Sequence, residues 1–156
     1  MNKMLIATAA LLALAGCASQ QTPATTANTG STAASSMQLA EVSSIDSTVE
    51  VAYTCDSPEG PKKVGAMYGV KDNTLVVAQI KIGDQLTPGL YRVLNDAQGE
   101  RQNSYYGSGL TWTTGKATPA NAKKVNGDML TQASALDAMG APVGTQTVLL
   151  RTCRAN

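Results

Sequence analysis

Apolar and polar residues begin to alternate near Thr48. Val49, Val51, Tyr53 and Cys55 stand between polar or small neighbours, the two-residue period of a strand with one buried face. Asp56-Ser57-Pro58-Glu59-Gly60-Pro61 forces a loop, because proline and glycine interrupt any regular ladder. Lys63–Val70 predicts a second strand, turned back at Lys71-Asp72-Asn73, and Thr74–Ile82 is the clearest strand, rich in β-branched residues. Gly83-Asp84 predicts a tight turn, Leu86–Leu94 a strand bent at Pro88-Gly89, and Asn95–Gly99 another turn. Farther on the segments shorten. Gln102–Tyr106 and Leu110–Thr114 read as strands around a Gly107-Ser108-Gly109 corner, Pro119–Lys124 as a loop and Met129–Ala133 as a short strand. Ser134–Met139 reads as one helical turn before Gly140, and Thr145–Cys153 as a closing strand. Some eight short strands separated by turns about every 8–12 residues predict an all-β fold, an antiparallel sandwich or a small barrel.

The first 45 residues follow a different pattern. Lys3 precedes the apolar run Leu5–Ala15, which ends at Gly16 and Cys17. A charged start, a short apolar stretch and small residues read as a secretory signal, and the run is far shorter than the roughly 20 residues of a membrane span. Leu14-Ala15-Gly16-Cys17 resembles the lipobox of bacterial lipoproteins, in which the cysteine is acylated, with palmitate among the usual chains, and becomes the mature N-terminus. Ala18-Ser19 carries no aspartate retention signal, so the resemblance implies an outer-membrane lipoprotein facing the periplasm or the cell surface. Residues 18–45 are mostly Ala, Ser, Thr and Gln with no periodic apolar face, so they cannot offset the entropy of folding. They read as a flexible tether spanning roughly 30 Å. The expected organisation is a signal peptide over residues 1–16, a lipidated Cys17 and tether over 17–45, and a folded domain over 46–156.

Export shapes the reading of the cysteines. With Cys17 acylated, Cys55 and Cys153 are left in an oxidising compartment, and a disulfide between them is the simplest outcome. A bridge closing a loop of about 100 residues contributes roughly 4–5 kcal/mol in the chain-entropy model. The mature chain would lose only Lys3 of the 12 basic residues and keep 11 against 11 acidic ones. That balance gives no electrostatic case for nucleic acid or anionic lipid, so any recognition rests on local patches. Phenylalanine is absent and aromatics are scarce, which predicts a core of Val, Leu, Ile, Ala and Met.

The chain has no histidine, which removes Ser-His-Asp and Cys-His catalysis and the commonest transition-metal ligand. It has no G-x-S-x-G elbow, phosphate loop or S-x-x-K. A paired-carboxylate glycosidase needs no histidine, but Asp84, Asp96, Glu100 and Asp128 fall mostly in turns, where aspartate caps the backbone. The expectation is a protein without enzymatic activity, cofactor or metal. Three of the six aromatic side chains stand in Ser104-Tyr105-Tyr106-Gly107-Ser108-Gly109-Leu110-Thr111-Trp112, followed by Gly115-Lys116. Such a segment either presents rigid aromatic area and hydroxyls to a partner or divides its aromatics between core and surface.

Tyr53-Thr54-Cys55, Met67-Tyr68-Gly69, Tyr105-Tyr106-Gly107 and Leu149–Cys153 together resemble the adhesin complex protein group, related to the MliC/PliC inhibitors of c-type lysozyme. The likeness covers roughly residues 48–154. It implies a small antiparallel β-barrel of about eight strands, closed by one disulfide between its ends. It further implies a lipid-anchored inhibitor that places an exposed loop in the lysozyme cleft, or alternatively a surface adhesin that meets host-cell molecules. The MliC group uses an S-G-x-x-Y loop and a later lysine. Ser108-Gly109-Leu110-Thr111-Trp112 fits that spacing with tryptophan in place of tyrosine, so Tyr106, Ser108, Gly109, Trp112 and Lys116 are the expected lysozyme-binding residues. Lys123 and Lys124 are further candidates for the cation, although the W-S-K-G pattern is not reproduced. Lys62-Lys63 and Lys123-Lys124 read either as solvated surface or as a rim that meets an acidic cleft.

Overall fold

The alternation that opens the domain becomes β1 (Ser47–Asp56), whose Val51, Tyr53 and Cys55 are buried while Ala52 and Thr54 are exposed. The structure, a computed structural model, describes residues 36–156. β1 is followed by β2 (Lys62–Lys71), β3 (Thr74–Ile82), the two-residue β4 (Gln85–Leu86), β5 (Leu90–Arg92), β6 (Gln102–Gly107), β7 (Leu110–Gly115), β8 (Gly127–Leu136) and β9 (Pro142–Ala155). A single 3-10 turn, Ala122–Lys124, lies between β7 and β8. Every pairing is antiparallel, and the order β2-β1-β9-β8-β7-β6-β5-β3 closes through a β2–β3 ladder. Eight strands thus form an up-and-down barrel, with β4 appended to the end of β3. Closure pairs most of the edge that an open sheet would expose, leaving the first part of β9 uncovered on one side.

Three seams of the ring are thin, one of them β5–β6, which pairs only Tyr91↔Tyr106 and Arg92↔Tyr105. β3 meets β5 at Val77↔Tyr91 and Ala78↔Leu90 alone. β1 meets β9 at Tyr53↔Ala155, Thr54↔Arg154 and Asp56↔Arg151, with an irregularity between Thr54 and Asp56. The Cys55–Cys153 disulfide, joining residues 98 apart, lies at that irregularity. The covalent link reinforces a short and irregular seam between the first strand and the last.

The core contains the expected Val, Leu, Ile and Ala, but aromatic side chains rather than methionine complete it. Its largest fully buried side chains are Trp112, Tyr53, Tyr68 and Tyr105, surrounded by Leu75, Ile80, Leu90, Leu130 and Leu150. Among the described residues no methionine is fully buried, and Met67 and Met139 are exposed. Aromatic residues suit this interior because their polar atoms find partners there, as burial requires. Tyr53 and Tyr68 share a hydroxyl hydrogen bond of 3.1 Å, and Trp112 donates its Nε1–H to the Tyr68 oxygen at 2.9 Å. Tyr53 and Trp112 also meet edge to face, with ring centroids 5.7 Å apart. Gly127 makes room for the indole: a β-carbon there would stand 2.6 Å from Trp112 Cζ2 and 2.9 Å from Cys153 Cβ.

Three segments depart from the sequence reading. Ser134–Met139 is not helical, because Ala135 and Leu136 pair with Val143 and Pro142 as the end of β8. The chain reverses at Asp137–Ala141, where Asp137 Oδ1 accepts the amides of Met139 and Ala141 and Gly140 takes a positive φ of 79°. Leu86–Leu94 is two short strands rather than one bent strand, interrupted at Pro88-Gly89. Residues 36–40, the last part of the expected tether, lie along the barrel wall. Leu39 bridges to Val93, the Ala40 amide donates to the Arg92 carbonyl and the Leu94 amide to the Gln38 carbonyl, while Asn95 bonds both Gln38 and Ser36. The expected signal peptide, Cys17 and residues 18–35 lie outside the described residues.

Candidate functional site

The aromatic segment expected to plug a cleft forms the β6–β7 hairpin. Its tip is the two residues Ser108 and Gly109, both at positive φ (51° and 80°), as a type I′ turn requires. Tyr105 and Trp112 are directly opposed across the hairpin and both point inward. Strand parity decides this: once Leu110–Gly115 is a strand, Trp112 and Thr114 share the buried face while Thr111 and Thr113 do not.

Of the five residues assigned to a lysozyme-binding loop, the structure therefore removes three from the accessible surface. Trp112 is sealed in the core. Gly109 is buried and gives its carbonyl to the Ala133 amide at 2.9 Å. Tyr106 points away from the barrel interior yet is only 5 % exposed, because the β8–β9 turn and residues 36–39 close over it. Its hydroxyl donates to the Gly140 carbonyl at 2.5 Å. Ser108 and Lys116 are exposed but stand at opposite ends of β7, roughly 25 Å apart at the usual strand rise. Lys116 gives its ammonium to the Gly99 carbonyl. The five residues do not converge on one loop.

The carboxylates serve as local caps. Asp96 holds the turn before β6, accepting from the Gln98 amide at 2.8 Å and from the Ser104 hydroxyl. Partial burial pushes its pKa up, but the hydrogen bonds from Ser104, Gln98 and Gln102 outweigh that and hold it below the ordinary carboxylate value. Asp46 is likewise held low by the Asp72 amide and the Lys71 ammonium, fixing the start of β1 to the β2–β3 turn. Burial pushes the hydroxyls of Tyr68, Tyr105 and Tyr53 up, so they stay neutral donors. Among the described residues no group of three His, Cys, Asp or Glu side chains is placed to hold a metal ion.

A broad concavity lies on the outer wall of β1–β3, where Ala52 and Gly65 are paired and leave a hollow of about 600 Å³. Met67 and Leu86 add apolar surface, and Lys81 and Lys123 approach from β3 and the 3-10 turn, with Glu50 beside them. A second hollow shares Ala52, Gly65 and Lys81 and brings in Lys63. Three exposed lysines from three elements thus rim one shallow saddle. The lysine pairs were visible in the sequence, but Lys81 was not singled out, because nothing local to TLVVAQIKI links it to residues 63 and 123.

Residues 49–155, from β1 to the end of β9, match the family model Nm-ACP, described as an ACP-like domain. No curated protein matches the chain.

Proposed function

The chain belongs to the ACP-like (adhesin complex protein-like) domain family, and from that premise we propose that it is a non-enzymatic envelope protein acting through the outside of its barrel. The filled interior carries this reading. Tyr53, Tyr68, Tyr105 and Trp112 occupy the space in which a carrier of the same fold would hold a ligand, so a partner meets the outer wall. In this proposal Cys17 carries the lipid, the outer membrane is the anchor, and the stretch from Cys17 to Ser36 is the tether. The lysine-rimmed saddle is the contact surface. Its mixture of small and apolar floor with convergent ammonium groups suits a protein partner bearing carboxylates.

The finer form of the proposal is inhibition of a c-type lysozyme, whose cleft contains two carboxyl groups. Contact then runs through Lys63, Lys81 and Lys123 rather than through the β6–β7 tip. Adhesion to acidic host-cell surface molecules is the second reading, favoured by the same saddle and by the family. Two assays separate them. The protein with Cys17→Ser is titrated into lysozyme acting on peptidoglycan, and its binding to cultured host cells is measured without lysozyme. Inhibition lost in the Lys63→Ala, Lys81→Ala, Lys123→Ala triple variant supports the inhibitor. Cell binding without inhibition at large molar excess ends the lysozyme reading and leaves the adhesin. Neither activity ends both.

A further inference from the structure

β9 is 14 residues long, but β1 covers its outer edge only from Arg151 to Ala155. From Pro142 to Leu150 it is paired on one side alone, to β8. The ladder shows which backbone groups this leaves open. Ala133 gives its amide to Gly109 on the β7 side. In the antiparallel alternation its β9 partner, Gln146, therefore turns its N–H and C=O away from β8. Val148, two residues on, does the same, while Thr147 between them is bonded toward Gln132.

Exposed edges recruit further strands, and folded proteins usually block them with charges, proline or bulges. Ala138–Leu150 contains no charged residue. Pro142 and the left-handed Gly144 guard only the far end of the strand. Val148 is 40 % exposed on the unguarded part. Beside that edge runs a groove of about 270 Å³, between β9 and the β1–β2 turn, lined by Pro58, Ile82, Val148 and Leu149 and by the Glu59–Lys62 ion pair, whose charges offset each other.

We infer that this edge is the contact between two copies of the chain, paired antiparallel β9 to β9 about a two-fold axis at Thr147. A two-fold contact must be self-complementary, and this register is. It sets Gln146 against the partner copy's Val148 and Val148 against its Gln146, so that the open backbone groups satisfy one another. Moving the axis to Gln146 would oppose Val148 to Gly144, at the irregular part of the β8–β9 ladder. Moving it to Val148 would oppose Gln146 to the buried Leu150, where β1 closes in. A charge near the axis would face its own image and repel it, and this stretch has none. The groove beside the edge lies where the second copy's Thr145 and Gly144, both small, would run.

The test uses the chain exported with Cys17→Ser. Sedimentation should show a monomer–dimer equilibrium, weakened at least tenfold by Val148→Lys and by Gln146→Pro. Each variant is checked for an unchanged far-ultraviolet spectrum. Thr147 would stand in a non-hydrogen-bonded pair with its own copy, Cα atoms about 4.5 Å apart, within reach of a disulfide. Thr147→Cys should therefore cross-link to a dimer under mild oxidation, and Thr113→Cys, half-buried on the outward face of β7, should not. Three results overturn the proposal: a monomer at millimolar concentration, cross-linking no greater than in the Thr113→Cys control, or a dimer indifferent to Val148→Lys. A monomer whose edge instead takes up an unrelated extended peptide also overturns it.

Discussion

The β6–β7 and β8–β9 hairpins are neighbours in the barrel wall, and their sequences point the wrong way about which of them meets solvent. β6–β7 holds Tyr105, Tyr106 and Trp112, yet the hairpin is sealed, with Ser108 the exposed residue at its tip. β8–β9 between Ser134 and Thr147 has no aromatic residue, yet its side chains stand largely in solvent, with Leu136 at 46 % and Met139 at 81 % exposure. Aromatic density in this fold marks the filling of a narrow barrel. Exposure follows from strand length: β8 and β9 extend past their neighbours, and beyond the wall only the turn at Asp137–Ala141 packs back, over Tyr106. Residue type therefore says less about a binding surface here than the length of the strand that carries the residue.

The strongest way to break this comparison is to remove the indole. Trp112→Ala deletes the centre of the core and strands the Tyr68 hydroxyl, so unfolding in denaturant should lose about 3–5 kcal/mol. A loss under about 1 kcal/mol would mean that the ring is not the keystone and that the hairpin is free to present it to a partner. Tyr106→Phe tests where the two hairpins touch. It removes the hydrogen bond to Gly140, which is worth about 1 kcal/mol. Amide exchange at Asp137–Ala141 should speed up more than exchange in β6 itself. Equal acceleration in both would show that the β8–β9 turn is not pinned through this hydroxyl.

Most of the barrel was legible from alternation alone. The strands near residues 48–55, 63–70, 74–82 and 145–153 recur as β1, β2, β3 and β9, because β-branched runs bounded by Gly, Pro, Asp and Asn leave few other options. The Cys55–Cys153 pairing follows once one cysteine is set aside for lipid. The failures have physical causes. Ser134–Met139 has helical local preference, which cross-strand pairing to Pro142 and Val143 overrides. Trp112 was misplaced although its own strand had been recognised: Leu110–Thr114 taken as a strand already puts residues 110, 112 and 114 on one face. The lysine saddle was hidden, since it depends on ring closure bringing β2, β3 and the 3-10 turn together.

A smaller effect concerns the base of the β6–β7 hairpin, where Asp96 caps the turn before β6. Its folded pKa lies below the ordinary value of 3.8, so it binds its proton more weakly folded than unfolded. Its contribution is therefore fully present above that value and is lost as pH falls through the folded pKa. Ser104→Ala should flatten the decline in stability below pH 3.8 while leaving the slope above pH 5 unchanged. A variant with the same acid limb as the parent would show that the Ser104 hydroxyl does not hold the carboxylate down.

The smallest expected effect is the one that most directly separates the two hairpins. Met139 sits on the β8–β9 turn with four-fifths of its surface in water, so Met139→Ser gives up almost no burial. Its effect on unfolding should stay within about 0.5 kcal/mol, as for surface substitutions away from structural features. Trp112→Ala and Met139→Ser would then differ by several kcal/mol although both side chains are large and apolar, and the whole difference would come from where strand parity and strand length place them. A loss of 1 kcal/mol or more at Met139 would mean that its own side chain packs on the wall in solution. The β8–β9 hairpin would then be part of the barrel's own stabilisation rather than surface left over for a partner.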